Sequence, residues 1–184
     1  MAAPLPTLLF VAGYGNSGPA HWQRRWHDAL PGSRWVEQTD WENPERSAWI
    51  AAIEHTVATV TGPVFFITHS LGGLAVAAWS RTSARPVAGA LLVAVPDPAQ
   101  PDFPPAIRGF TAPAPGPLRF PALMVTSSDD PYITPARSAA FAAAWGCARE
   151  DIGPRGHLNA ASGLGEWPAG RALLARALRP APLT

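Results

Sequence analysis

The chain has 184 residues, a formal net charge of +1 and 15% charged residues, so it can bury one full core and offers neither a basic nucleic-acid face nor a charged tail. Its 14 cationic residues are all arginine, which excludes a Schiff-base lysine, a Walker lysine and a Ser-Lys dyad. Cys147 is the single cysteine, so an intrachain disulfide and a cysteine metal cluster are excluded as well. One domain over residues 1–184 is expected, in a cytoplasmic and, from the Ala, Arg and Pro bias, bacterial protein.

The apolar start "LPTLLFVAGYG" lacks a basic n-region, a cleavage site and the length of a membrane span. Thr7 to Ala12 reads instead as a first strand buried on both faces, the pattern of a parallel sheet. Next, "SGPAHWQRRWHDALPG" predicts a helix capped by Ser17, with Pro19 in its first turn and Trp22, Trp26 and Leu30 on one face. Arg34 to Gln38 reads as a short strand and Pro44 to Val60 as a helix. Val64 to Thr68 is a third strand, Leu71 to Ser80 a helix of small residues, and Val87 to Val95 a fourth strand.

Proline then crowds residues 96–121, a stretch that neither continues a helix nor fits inside a sheet. It is either a lid or substrate wall, or a passive stiffened connector. Ala122 to Thr126 is a fifth strand, Pro135 to Trp145 a helix, Ala148 to Ile152 a sixth strand and Pro168 to Leu178 a last helix. Strands alternating with helices specify an α/β fold with a largely parallel sheet, helices on both faces and right-handed crossovers.

In such sheets sites form beyond the carboxyl ends of the strands. Strand one is followed there by Gly13-Tyr14-Gly15-Asn16, strand three by His69-Ser70-Leu71-Gly72, strand five by Asp129-Asp130 and strand six by Gly156-His157. Thr68 to Gly72 has the form of a nucleophile elbow, although glycine is usual where Thr68 stands. Ser70 also starts a helix, so the Leu71 N–H suits an oxyanion. The second donor is expected from Tyr14, with Gly15 or Asn16 as substitutes. A helix-capping role for Ser70 is the alternative.

Asp130 is the expected carboxylate, with Asp129 and Asp97 as competitors. Of five histidines, His55 and His27 read as helix-surface residues. His69 shapes the turn beside the serine, and His21 is placed near the mouth of the site. His157 is preferred as the base because Ser70, Asp130, His157 is the chain order of α/β hydrolases. Gly15, Asn16, His21, His69 and Trp22 are possible pocket residues, with Trp41 and Trp167 as further wall candidates. Cys147 reads as a packing residue, and Arg108 or Arg119 does not by itself specify an acidic substrate.

Four segments carry a resemblance: "GYGNSGPAHWQRRW", "THSLGGLAVAAW", "FPALMVTSSDDPYI" and "GHLNAASGLGEWPAG". Together they resemble the small α/β-hydrolase serine hydrolases grouped with YdeN and retinoblastoma-binding protein 9, over nearly the whole chain. The resemblance implies Ser70 as nucleophile, Asp130 as acid and His157 as base. It also implies a compact six-stranded sheet of order 2-1-3-4-5-6 without a large cap domain. An L-x-C-x-E pattern is not reproduced around Cys147, where the chain reads "WGCARE", so no retinoblastoma partner is implied.

The reaction expected is hydrolysis of a small ester, thioester or amide through an acyl-enzyme, with a small-molecule acyl substrate and no metal or organic cofactor. A non-catalytic interaction module on the same fold and an acyltransferase are the alternatives. Nothing in the sequence selects an acyl chain or an oligomeric state.

Overall fold

A computed structural model describes residues 5–111 and 116–179, so residues 112–115 of the proline-rich stretch lie outside the described residues. Six strands form one sheet: β1 (Thr7–Val11), β2 (Arg34–Trp35), β3 (Val64–His69), β4 (Val87–Val93), β5 (Ala122–Thr126) and β6 (Ala148–Asp151). Their order is β2-β1-β3-β4-β5-β6 and every pairing is parallel, as the alternation of elements requires. The order reverses between β1 and β3, which opens a crevice at their carboxyl ends.

Successive strand residues face opposite sides, and each side has its own core. Leu9, Phe66 and Leu92 pack with Trp49, Leu74 and Phe141 from α2 (Arg46–Ala58), α3 (Leu71–Trp79) and α4 (Pro135–Trp145). Phe10, Ile67 and Val93 pack with Trp22, Trp26 and Leu173 from α1 (Trp22–Ala29) and α5 (Pro168–Ala177). Each fully buried large side chain of this kind contributes roughly 1.5–3 kcal/mol of transfer free energy. The central α3 is buried almost all round, and its sequence "LGGLAVAAW" is small-sided enough to be covered that closely.

Several boundaries differ from the sequence expectation. The first helix starts at Trp22 and is capped by His21, whose Nδ1 accepts from the Gln23 N–H. Ser17 does not cap it, because its buried hydroxyl is spent on Gln23 Oε1 at 2.9 Å. Gln23 in turn donates to the Val11 and Ile67 carbonyls, tying the helix to β1 and β3. Strand β2, at one edge of the sheet, keeps only Arg34 and Trp35 of the expected Arg34 to Gln38.

Candidate active site

At the end of β3 the chain turns sharply, and Ser70 adopts φ 52° and ψ −125°, a conformation that a residue with a side chain rarely takes. No side-chain cap bond is made by Ser70, so the capping role has no support in the geometry. The turn is held by the Ser70 N–H donating to the Val93 carbonyl and the Gly73 N–H donating to Ser70 O.

Three glycines make this turn possible. A Cβ on Gly72 would lie 2.3 Å from Val11 O, and one on Gly13 would lie 2.8 Å from Ser70 Cβ. The third, Gly73, makes room first for Val95 and then for Thr68. A Cβ there would press on the Thr68 hydroxyl at 3.2 Å and on Val95 at 2.7 Å, so its absence makes room for both. Thr68 is fully buried on the α3 side of the sheet, and its hydroxyl has no hydrogen-bond partner among the described residues.

Ser70 Oγ lies 2.8 Å from His157 Nε2. His157 Nδ1 lies 3.0 and 2.9 Å from the two oxygens of Asp130, a carboxylate that is itself buried. Asp130 is set by its own turn, where Oδ1 accepts from the Tyr132 N–H.

The competing carboxylates are occupied elsewhere. Asp97 forms a two-pronged ion pair with Arg137 at 2.6 and 3.1 Å; burial pushes its carboxyl up, and the Arg137 bonds and charge outweigh that and hold it low. Exposed Asp129 accepts from Ser127 Oγ and from the Gly156 N–H, which hold its carboxyl low and pin the loop just before His157.

Two further bonds hold the His157 loop by successive carbonyls. His69 Nε2 donates to His157 O at 2.9 Å, and Trp22 Nε1 donates to Leu158 O at 2.7 Å. Because a carbonyl only accepts, the proton of His69 sits on Nε2. The His157 ring rests between Tyr132 and His69, at centroid distances of 4.5 and 5.0 Å. His69 touches His21 in turn, at 4.6 Å. Burial pushes both of these histidines down, His21 to about 4 and His69 well below the usual range, with the His157 charge adding to the effect, so both are neutral at pH 7.

Beside Ser70, the loop after β1 offers N–H groups. Those of Gly15 and Asn16 are taken by the Trp41 and Gly13 carbonyls. Leu71 is the first residue of α3, where a helix leaves its N–H without an intrahelical partner.

A cavity of about 440 Å³ lies over Ser70 and His157; the pocket candidates Asn16, His21 and His69 line it, as do Tyr14 and Leu71, the expected oxyanion donors. Two expected pocket residues do not face it. Trp22 is 1% exposed and serves as the donor to Leu158, while Gly15 bends away toward Trp41 and Glu42. Trp167 is buried in the core of the α1/α5 face, and Trp41 packs between the two cores.

Sequence reading did not single out Phe103, Pro104 and Ile107, or Tyr132 and Asn159, which also line the cavity. The proline cluster signalled the first three as a stretch, though not as individual residues. Cys147 packs against the α2/α3 core and burial pushes its thiol up to about 11, which keeps it out of nucleophilic chemistry at neutral pH. Among the described residues no cluster of three or more His, Cys, Asp or Glu side chains is arranged to hold a metal ion, and no helix is long and apolar enough to cross a membrane.

The family model described as serine hydrolase matches residues 8–176. A YdeN-like hydrolase from Pectobacterium atrosepticum has a similar structure, with a TM-score of 0.84 at 31% identity over 95% of this chain and 92% of its own. The ydeN gene product of Bacillus subtilis superposes with a TM-score of 0.74 at 16% identity, over 94% and 98% of the two chains. Carboxylesterase CesB of Bacillus subtilis shares the fold, with a TM-score of 0.69 at 11% identity over 96% and 85%. Among curated proteins no sequence matches the chain.

Proposed function

Since this chain belongs to the serine hydrolase family, we propose that Ser70, His157 and Asp130 are its nucleophile, general base and orienting acid, and that it hydrolyses a carboxylic ester or thioester. One observation carries the reading: on a strained turn, Ser70 Oγ stands 2.8 Å from His157 Nε2, and His157 Nδ1 faces both oxygens of a buried aspartate.

In the first half-reaction Ser70 Oγ bonds to the acyl carbon while His157 Nε2 takes the hydroxyl proton. Asp130 keeps the proton of Nδ1 in place and stabilises the imidazolium. The carbonyl oxygen becomes an anion held by the N–H groups of Leu71 and Tyr14. Tyr14 is assigned over Gly15 and Asn16 because those two donate to carbonyls, and because Gly13 beside it lies against Ser70. The positive end of α3 favours the same charge. Collapse breaks the bond to the leaving group, which departs with the proton from His157, and Ser70 is left acylated.

Water then attacks the acyl-enzyme as His157 removes its proton, and the acid is released with Ser70 restored. The YdeN-like hydrolase at 31% identity supports the hydrolytic outcome.

A fluorophosphonate probe tests the core of this reading, since it phosphonylates only an activated serine. Labelling of the wild-type chain and its loss in a folded Ser70→Ala variant are expected. Equal labelling of both, or none of the folded wild type, overturns the assignment.

A further inference from the structure

Residues 97–108, the first part of the proline-rich stretch, cross the carboxyl ends of the central strands as a strap beside Ser70. At one end Asp97 is clamped by Arg137, and its N–H donates to Tyr132 O. Successive turns follow, closed by the Gln100, Phe103 and Ile107 N–H groups. At the other end the Arg108 N–H donates to Pro44 O, and the Arg46 N–H donates back to Arg108 O. Proline, which fixes its own φ, and these bonds restrain the strap over the site.

The strap and the His157 loop belong to opposite faces of the sheet. Phe103 and Ile107 pack against the core shared with α2 and α3, whereas Leu158, next to His157, is buried in the core shared with α1 and α5. Ser70 stands between them. On the acyl carbon, the developing anion is directed to Leu71 and Tyr14, and the leaving atom must lie near His157 Nε2 to receive its proton. The remaining substituent, the acyl group, is therefore left to the strap side.

The two sides differ in chemistry. Among the described residues no Asp, Glu or Arg lines the cavity over Ser70, and its strap wall is Pro96, Phe103, Pro104 and Ile107. Its volume of about 440 Å³ lies near the small end of the ~300–1,000 Å³ usual for small-molecule sites. Beyond His157 a second, more open cleft adjoins it, lined by Asp129, Arg155 and Ser162 and sharing Tyr132, His157, Asn159 and Ala161 with the first.

Resting on the serine hydrolase reading above, we propose that the strap is an acyl-selecting wall: the substrates carry a compact, uncharged, apolar acyl group against Phe103, Pro104 and Ile107, and a leaving group that extends into the polar cleft. A carboxylate in the acyl group would be stripped of water with no cation to meet it. A long chain would run into a wall that cannot retreat.

The test uses p-nitrophenyl butyrate, octanoate and palmitate together with the anionic hemisuccinate, with active sites counted by fluorophosphonate labelling. For the wild type, kcat/KM on butyrate or octanoate should exceed that on the hemisuccinate by at least ~100-fold. It should also exceed that on palmitate by at least ~10-fold. Ile107→Ala and Phe103→Ala should shift the preference toward the longer chain, and Ile107→Arg should narrow the gap to the hemisuccinate by at least ~10-fold.

A chain that labels at Ser70 but shows a flat profile, or a profile that these strap variants leave in place, overturns the acyl wall and spares the serine hydrolase reading. A folded wild type that neither labels nor cleaves any ester overturns both.

Discussion

The two sides of the crevice are built in opposite ways. On the His157 side a buried aromatic stack of His21, Trp22, His69 and Trp167 reaches the His157 loop, and each contact ends on a main-chain carbonyl or a buried ring. On the strap side the wall is partly exposed, bonded at its two ends, and faces the cavity with side chains that make no polar bond across it. On the function proposed above, reaction geometry would be fixed by many independent contacts, whereas selectivity would rest on a few apolar surfaces. Substitutions on the first side should therefore damage rate or folding, and on the second mainly change preference.

The largest contrast is expected between two adjacent carboxylates. Asp130→Asn should lower kcat by ~10⁴-fold, because the amide cannot stabilise the imidazolium and favours the wrong tautomer. Asp129→Asn should stay within ~10-fold of wild type, since its amide oxygen can still accept from Gly156 and Ser127. Rates on a p-nitrophenyl ester decide the matter, and reversed effects would exchange the two roles.

A second contrast concerns stability. Gly72→Ala would drive a methyl into two backbone carbonyls, those of Val11 and Ala12, which have nowhere to move in the central strand. A loss of about 3 kcal/mol or more in urea unfolding, or failure to fold, is expected. Pro104→Ala on the strap should cost within about 1 kcal/mol, mostly through the unfolded chain. Comparable losses at the two positions would show that the strap is as tightly specified as the elbow.

Much of this division was legible in the sequence. The continuous apolar runs ending in glycine specified β1 and β3, and the order Ser70, Asp130, His157 brought together three residues that now lie within hydrogen-bond distance. Strand order followed from the family resemblance, which no local pattern could supply. What stayed hidden depends on long-range partners. Ser17 has the composition of a helix cap, yet its hydroxyl is claimed by Gln23 across the loop. Trp22 looks like a wall residue because indole suits a pocket, and only the fold shows its N–H committed to Leu158. The strap residues carry no spacing signal, since an irregular proline-rich segment has no period from which to read a face.

The histidine stack supplies a third, smaller test. His21 is pushed down to about 4 by burial first and the His157 charge second, against 6.5 for an ordinary histidine. Above pH 6.5 the folded and unfolded chains both keep this group neutral, so its contribution is fully present. Between pH 6.5 and about 4 the unfolded chain binds a proton that folded His21 refuses, and stability falls as pH falls, by roughly 3 kcal/mol across the window. Burial pushes His69 in the same direction. His21→Asn retains an acceptor for the Gln23 N–H but cannot titrate. Urea unfolding at pH 7.5 and 4.5 should show the stability difference shrink by about 2 kcal/mol relative to wild type; an unchanged difference would place the acid sensitivity elsewhere.

The smallest effect returns to the elbow. Glycine is usual two positions before the serine because a side chain there normally collides with the following helix. In this chain the crowding is eased from the other partner, since a Cβ on Gly73 would sit only 3.2 Å from the Thr68 hydroxyl and the glycine has none. The solution leaves that hydroxyl buried with no hydrogen-bond partner among the described residues, a state that costs about 1–3 kcal/mol of lost hydration. Valine has nearly the same shape without the polar atom. Thr68→Val should therefore raise the urea midpoint, with a gain of about 1 kcal/mol, and leave fluorophosphonate labelling of Ser70 in place. Destabilisation instead would mean that the hydroxyl is satisfied by water, and that threonine is retained at the elbow for its polarity and not merely tolerated for its shape.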